Sequence, residues 1–178
     1  HPKTGDLVFS YGISGKAAVF AIDRENMTAE VTNLLNGVSG LTKTVAHCFD
    51  AEGTLYVMDI ASSKGTIYKI KDGIKTVFAA TTGRFVSSNI TMEADGRGGL
   101  WVAQYRGQID SYYQLVHFNN AGTADFSVYD DLGTYKADPP VLGTSSTGWT
   151  GHSYRGALAY DVERQILAQG RNSTVEVF

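Results

Sequence analysis

Gly53-Thr54-Leu55-Tyr56-Val57 returns as Gly98-Gly99-Leu100-Trp101-Val102, with 45 positions from Leu55 to Leu100. The pattern also stands upstream as Gly5-Asp6-Leu7-Val8-Phe9, with 48 positions from Leu7 to Leu55, and Gln165-Ile166-Leu167-Ala168 is a weaker copy downstream. Self-similarity at a nearly fixed spacing marks an array of one supersecondary unit. A period of about 45 residues made of short β runs is the size of a β-propeller blade. Such a unit cannot bury its faces alone, so each copy must pack on its neighbours. The expected fold is therefore all-β, with about three and a half four-stranded blades.

Residues 44–79 show the unit most clearly. An inner strand, Thr44–Phe49, is turned by Asp50-Ala51-Glu52-Gly53 into a second strand, Leu55–Asp59. The third strand is Thr66–Ile70, Asp72-Gly73 is a strong hairpin signal, and Thr76–Ala79 is the outer strand. The next unit gives Asn89–Met92, Leu100–Gln104, Gln114–Phe118 and Asp125–Val128 in the same order. The first unit supplies Leu7–Ser10, Ala17–Ile22 and Ala29–Thr32, and the last supplies Gly156–Tyr160, Gln165–Ala168 and Thr174–Phe178. Blade boundaries fall at approximately 1–40, 41–83, 84–135 and 150–178, within a single segment spanning 1–178. An insertion rich in Gly, Thr and Pro occupies approximately 132–153. The best helical candidate, Arg24–Asn36, is spoiled by Asn33, Asn36 and Gly37.

The first unit lacks an inner strand and the last lacks an outer one, so neither supplies what the other needs to close a four-blade ring. The expectation is part of a six- to eight-bladed ring, completed by the remaining half or by a second chain.

Composition narrows the partners. Charged residues are 19% of the chain, net charge is −3, the isoelectric point is near 5.8, and no Lys/Arg run exists. Nucleic acid is not expected as a partner. No stretch reaches the roughly 20 apolar residues of a membrane span. The single Cys48 rules out an internal disulfide. The opening His1-Pro2, with neither Met nor signal peptide, reads as a processed or excised product. Asn26, Asn89 and Asn172 each begin a glycosylation sequon, a pattern that arises often by chance.

Phe49-Asp-Ala-Glu-Gly-Thr-Leu-Tyr-Val-Met-Asp59 resembles the repeat of NHL-type and gluconolactonase-like β-propellers, and Met92-Glu-Ala-Asp-Gly followed by Leu100-Trp-Val-Ala103 is similar. The resemblance covers most of 5–128 and, less well, 155–178. It implies a superfamily whose members serve as lactonases, lyases, receptor ectodomains and carbohydrate- or protein-binding modules. Lactonase-like members hold a metal, typically calcium, between Glu and Asn/Asp residues at inner-strand ends. By that resemblance Asn89 is placed like a ligand, whereas the positions read as equivalent to it, Ala46 and Ala157, cannot bind metal. No cofactor is expected, calcium included.

Among residues that can carry chemistry, Trp149, His152, Tyr154 and Arg155 stand out. They follow the longest irregular stretch and lead into an inner strand, which places them at the channel mouth, where propeller loops carry function. They offer a stacking face and donors, as a sugar or peptide site requires. Tyr105-Arg106 and Tyr112-Tyr113 bound another long loop and extend the same surface. His47, on an inner strand in register with Ile90 and Leu158, reads as a hydrogen-bonded core histidine, with ligand contact as the alternative. Cys48 reads as a small buried hydrophobe. The acids Asp50, Glu52, Glu93, Asp95, Asp161 and Glu163 recur at each blade's first turn and read as turn formers. The function these features favour is a secreted, periplasmic or surface-attached binding module for a polysaccharide or protein ligand. The alternatives are a metal-dependent lactonase-like hydrolase and a sensor ectodomain.

Overall fold

Alternating apolar and polar residues bounded by Gly-containing turns become short antiparallel strands, and the described residues use little else. The computed structural model describes residues 1–10, 19–22, 31–61, 64–80, 90–105, 113–127, 158–171 and 174–177. Among the described residues, fourteen strands form four antiparallel sheets, each ordered as the chain runs, and no helix occurs. Sheet 1 contains β1 (Leu7–Ser10), β2 (Val19–Ile22) and β3 (Val31–Asn33). Sheet 2 contains β4 (Thr44–Phe49), β5 (Leu55–Ala61), β6 (Lys64–Lys71) and β7 (Ile74–Ala80). Sheet 3 contains β8 (Ile90–Ala94), β9 (Leu100–Tyr105), β10 (Tyr113–Phe118) and β11 (Ala124–Ser127). Sheet 4 contains β12 (Leu158–Asp161), β13 (Ile166–Arg171) and β14 (Thr174–Val177).

The leading strands touch in chain order: β1 lies against β4, β4 against β8, and β8 against β12. Sheets 2 and 3 thus each have one face toward the sheet before and one toward the sheet after. Leu55 and Val57 point back, joining Ile70, Leu35 and Val8 between sheets 1 and 2. Tyr56, Met58, Ala46, Cys48 and Ile67 point forward and pack on Ile90, Met92, Leu100 and Val102 of sheet 3. Period-2 alternation therefore feeds two cores rather than one core and solvent. The repeat positions Leu55, Val57, Ile67, Leu100, Val102 and Leu115 are all buried.

One turn design is used three times. In Asp50–Thr54, Asp95–Gly99 and Asn119–Thr123 the first residue's N–H donates to the fifth residue's carbonyl at 3.1, 3.0 and 2.9 Å. The first side chain's Oδ1 in turn accepts the fifth N–H at 2.8, 2.8 and 3.1 Å. The fourth residue is always a glycine with positive φ: Gly53 at 80°, Gly98 at 87° and Gly122 at 73°. Asp and Asn recur here because a short side-chain oxygen can reach the backbone N–H, which accounts for Asp50 and Asp95 as turn formers. Asp161 acts similarly on the N–H groups of Glu163 and Arg164. Asp72-Gly73, with both φ positive, closes the β6–β7 hairpin between Lys71 and Ile74 as its sequence signalled.

The ladders revise one alignment. His47 pairs with Val57, and Met92 pairs with Val102, the residue two after Leu100 as Val57 is two after Leu55. His47 therefore corresponds to Met92 rather than to Ile90, and Ala46 corresponds to Thr91 rather than to Asn89. The spacing from His47 to Met92 is 45 residues, as from Leu55 to Leu100, because Asp50–Thr54 and Asp95–Gly99 are turns of equal length; matching the acidic runs Asp50–Glu52 and Glu93–Asp95 instead displaces the strand by two residues. Leu158 keeps its place, since Tyr160 pairs with Leu167 as Phe49 pairs with Leu55.

Candidate functional site

The forward face of sheet 3 gathers the densest chemistry among the described residues. Trp101 on β9 lies directly opposite His117 on β10, and their rings are 4.5 Å apart. Phe126 on β11 and Tyr160 on β12 stand 5.8 and 6.2 Å from the same indole. His117 is held at both nitrogens: Nε2 meets Asp95 Oδ2 at 3.0 Å and Nδ1 meets Asp125 Oδ1 at 2.5 Å. Asp125 reaches the ring because the β10–β11 ladder shifts register between His117 and Phe118, which adds a residue on β11.

Asp95 is buried, and its other oxygen accepts the N–H groups of Arg97 at 2.7 Å and Gly99 at 2.8 Å. Gly99 has no room for a side chain, since a Cβ there would fall 2.5 Å from Asp95 Oδ2 and from the Phe118 carbonyl. The two carboxylates occupy opposite edges of one imidazole, so they do not converge on a point where a cation could sit. Both can accept from the ring together only when it carries two protons. The cluster ties the β8–β9 turn to the third and fourth strands. Among the described residues, no group of three or more His, Cys, Asp or Glu is arranged to hold a metal ion.

Sheet 2 repeats the arrangement with other side chains. Tyr56 takes the place of Trp101, Lys69 lies opposite it as His117 does, and Phe78 from β7 packs edge-on at 5.3 Å. Lys69 Nζ sits 5.5 Å from the Tyr56 ring centroid. Burial, then the nearby Asp50 charge, pushes the Tyr56 phenol up to about 12. Cys48 lies in the core between sheets 2 and 3, where burial, reinforced by Glu93 and Asp50, raises its thiol well above the usual range and keeps it protonated. Glu93 stands opposite Trp101 on β8, and burial raises its carboxyl.

Of the residues singled out in the sequence, His47 is on β4 between sheets 1 and 2, edge-on to Phe49 at 6.4 Å. Burial lowers its pKa, partly offset by a hydrogen bond to the Val8 backbone. It fills the place that Met92 and Leu158 fill with hydrocarbon. Tyr105 ends β9 and lies directly opposite Tyr113, the first residue of β10. Trp149, His152, Tyr154, Arg155, Arg106 and Asn89 lie outside the described residues. His117 escaped sequence reasoning, although its place eight residues before Asp125 across an Asn119–Gly122 turn was a usable signal. No described helix is long and apolar enough to cross a membrane. Compared with known proteins, the chain matches no family model and no curated protein sequence.

Proposed function

We propose that the four sheets are consecutive blades of a β-propeller of the NHL-type or gluconolactonase-like kind, and that the chain is a binding module. In this reading it belongs to a secreted or surface-attached protein and recognises a polysaccharide or protein ligand through loops at one end of the blades. The observation that carries the reading is the packing of β1, β4, β8 and β12 in chain order, with sheet faces apposed. Such stacking makes a rigid support and leaves recognition to the loops. The polar side chains of sheet 3 support binding over catalysis, because Asp95 and His117 are already committed to each other and to backbone groups.

The chain's two tryptophans allow a direct test. Trp101 is packed among His117, Phe126 and Tyr160, whereas Trp149 is the proposed ligand-facing residue. Emission should change saturably on titration with the cognate member of a panel of cello-, xylo- and chito-oligosaccharides and extended peptides. The change should survive Trp101→Phe and vanish in Trp149→Phe. A panel without effect, or a response confined to Trp101, overturns the reading.

A lactonase-like hydrolase is the second reading, favoured by the raised Glu93 carboxyl on a leading strand beside Trp101. Calcium-dependent lactone hydrolysis lost in Glu93→Gln would establish it in place of the first.

A further inference from the structure

Asp125 stands outside the ladder of its own strand. β10 pairs Val116 with Ser127, His117 with Phe126 and Phe118 with Ala124, so Asp125 is the extra residue of a bulge on β11. Its carboxylate instead meets His117, Oδ1 to Nδ1 at 2.5 Å. The next residue, Phe126, lies edge-on to Trp101 at 5.8 Å. The seating of β11, the outer strand of sheet 3, on the Trp101 face therefore passes through one imidazole.

The two carboxylates on that imidazole are unequal. Asp95 is buried and also accepts the N–H groups of Arg97 and Gly99, whereas Asp125 is half exposed on an edge strand. A ring with both nitrogens protonated donates to both acids. A neutral ring keeps a single N–H. That proton belongs at Nε2, because leaving buried Asp95 short of a donor costs more than returning Asp125 to water. The Nδ1 lone pair then faces a carboxylate oxygen at contact distance, and Asp125 is the side free to retreat. Sheet 2 sets Lys69, a side chain of donors without an acceptor, at the corresponding place opposite Tyr56. Sheet 3 sets there a ring that can turn from donor to acceptor.

Other charged or titratable groups stand around the ring without bonding to it. Glu93 on β8 lies opposite Trp101, and Tyr160 of β12 is 6.2 Å from the same indole. Arg97 belongs to the turn that Asp95 opens. Asp161, Glu163 and Arg164 occupy the β12–β13 turn, whose Val162 lies against Gly96, and there Arg164 pairs with Asp161. Among the described residues the ring's hydrogen-bond partners are Asp95 and Asp125.

We propose that Asp95, His117 and Asp125 form a pH-operated latch on the outer strand of sheet 3. The doubly protonated ring holds Asp125 and seats β11. Loss of the Nδ1 proton to water releases Asp125, and β11 loosens from Trp101. The latch is closed on the acidic side of the ring's titration and open on the alkaline side.

The test follows amide hydrogen exchange at Ala124–Ser127 in the full chain from about pH 5 to about 9, the range that brackets imidazole titration. Each rate is divided by the intrinsic chemical rate at that pH, and the His117 Cε1–H resonance reports the ring in the same samples. Protection of β11 should fall about threefold, the scale of a part-exposed charged pair, with the midpoint of the ring's own titration. Asp125→Asn is the decisive variant. Its amide accepts from the protonated ring through oxygen and donates to the neutral ring through nitrogen. The ring should still titrate while the step in β11 disappears, and far-UV circular dichroism will confirm that the fold is kept. His117→Gln should also remove the step, and Glu93→Gln should leave it. A ring that changes charge without a step in β11 overturns the proposal, as does a ring that keeps one charge throughout. An equal step in Asp125→Asn, or a step that survives His117→Gln, assigns the effect to another group and overturns it too.

Discussion

His117 and Asp95 meet at 3.0 Å across 22 positions of sequence, joining the third strand of sheet 3 to the turn that opens its second. Asp95 is buried and also accepts two backbone N–H groups, whereas the second carboxylate on the ring, Asp125, is half exposed. Asp95→Ala strips acceptors from three donors and should cost about 1.5–3 kcal/mol. Asp125→Ala should cost about 0–1 kcal/mol, as for an exposed ion pair. Urea unfolding of both variants checks the ratio, and equal losses would mean that Asp95 is not the anchor.

Leu100 is fully buried between sheets 2 and 3. Leu100→Ala should lower stability by about 2–5 kcal/mol through lost transfer energy and the cavity left behind. A loss under about 1 kcal/mol would remove this position from the core.

Gly122 and Gly73 have nearly the same φ, 73° and 75°, in different surroundings. A Cβ at Gly73 meets nothing within 4 Å, whereas at Gly122 it would fall 1.8 Å from the Phe78 carbonyl oxygen. Gly73→Ala should cost about 1–2 kcal/mol, the backbone strain alone. Gly122→Ala should cost distinctly more, because β7 must move. Thermal melts of the pair separate strain from collision.

Tyr56 gives an alkaline limb to the stability curve. Its folded pKa, about 12, lies above the unfolded value near 10, so the folded state holds the proton more tightly. The contribution is complete below pH 10 and is lost as pH rises from there through about 12. Tyr56→Phe should flatten this fall in guanidinium midpoints between pH 9 and 11. An unchanged slope would show that the phenol ionises as freely folded as unfolded.

Cys48 should resist thiol reagents in the native protein, since it is buried and its thiol stays protonated. Its labelling rate should track opening of the interface between sheets 2 and 3, rising in Leu100→Ala. Rapid stoichiometric labelling of the wild-type chain would contradict the burial.

What the sequence disclosed was local, and what it hid depended on ladders. Alternation and turn chemistry act within a few residues, so Asp50-Ala-Glu-Gly53 and Asp72-Gly73 announce their turns directly. The sheets follow, three strands, four, four and three. The register of β8 is hidden because the acidic runs Asp50–Glu52 and Glu93–Asp95 look equivalent, although only Asp50 and Asp95 hold the same place in their turns. His117 was passed over because a register shift on β11 swings Asp125 onto its ring. The aromatic cluster around Trp149 was a reading of loop chemistry, and those residues lie outside the described part of the structure.

Because each sheet shares apolar faces only with its immediate neighbours, local opening energies should form a gradient along the chain. Sheets 2 and 3 are supported on both sides, so amides in β5 and β9 should exchange with solvent only through global unfolding. Amides of β14, next to the exposed Val177, should exchange through small fluctuations at one end of the stack.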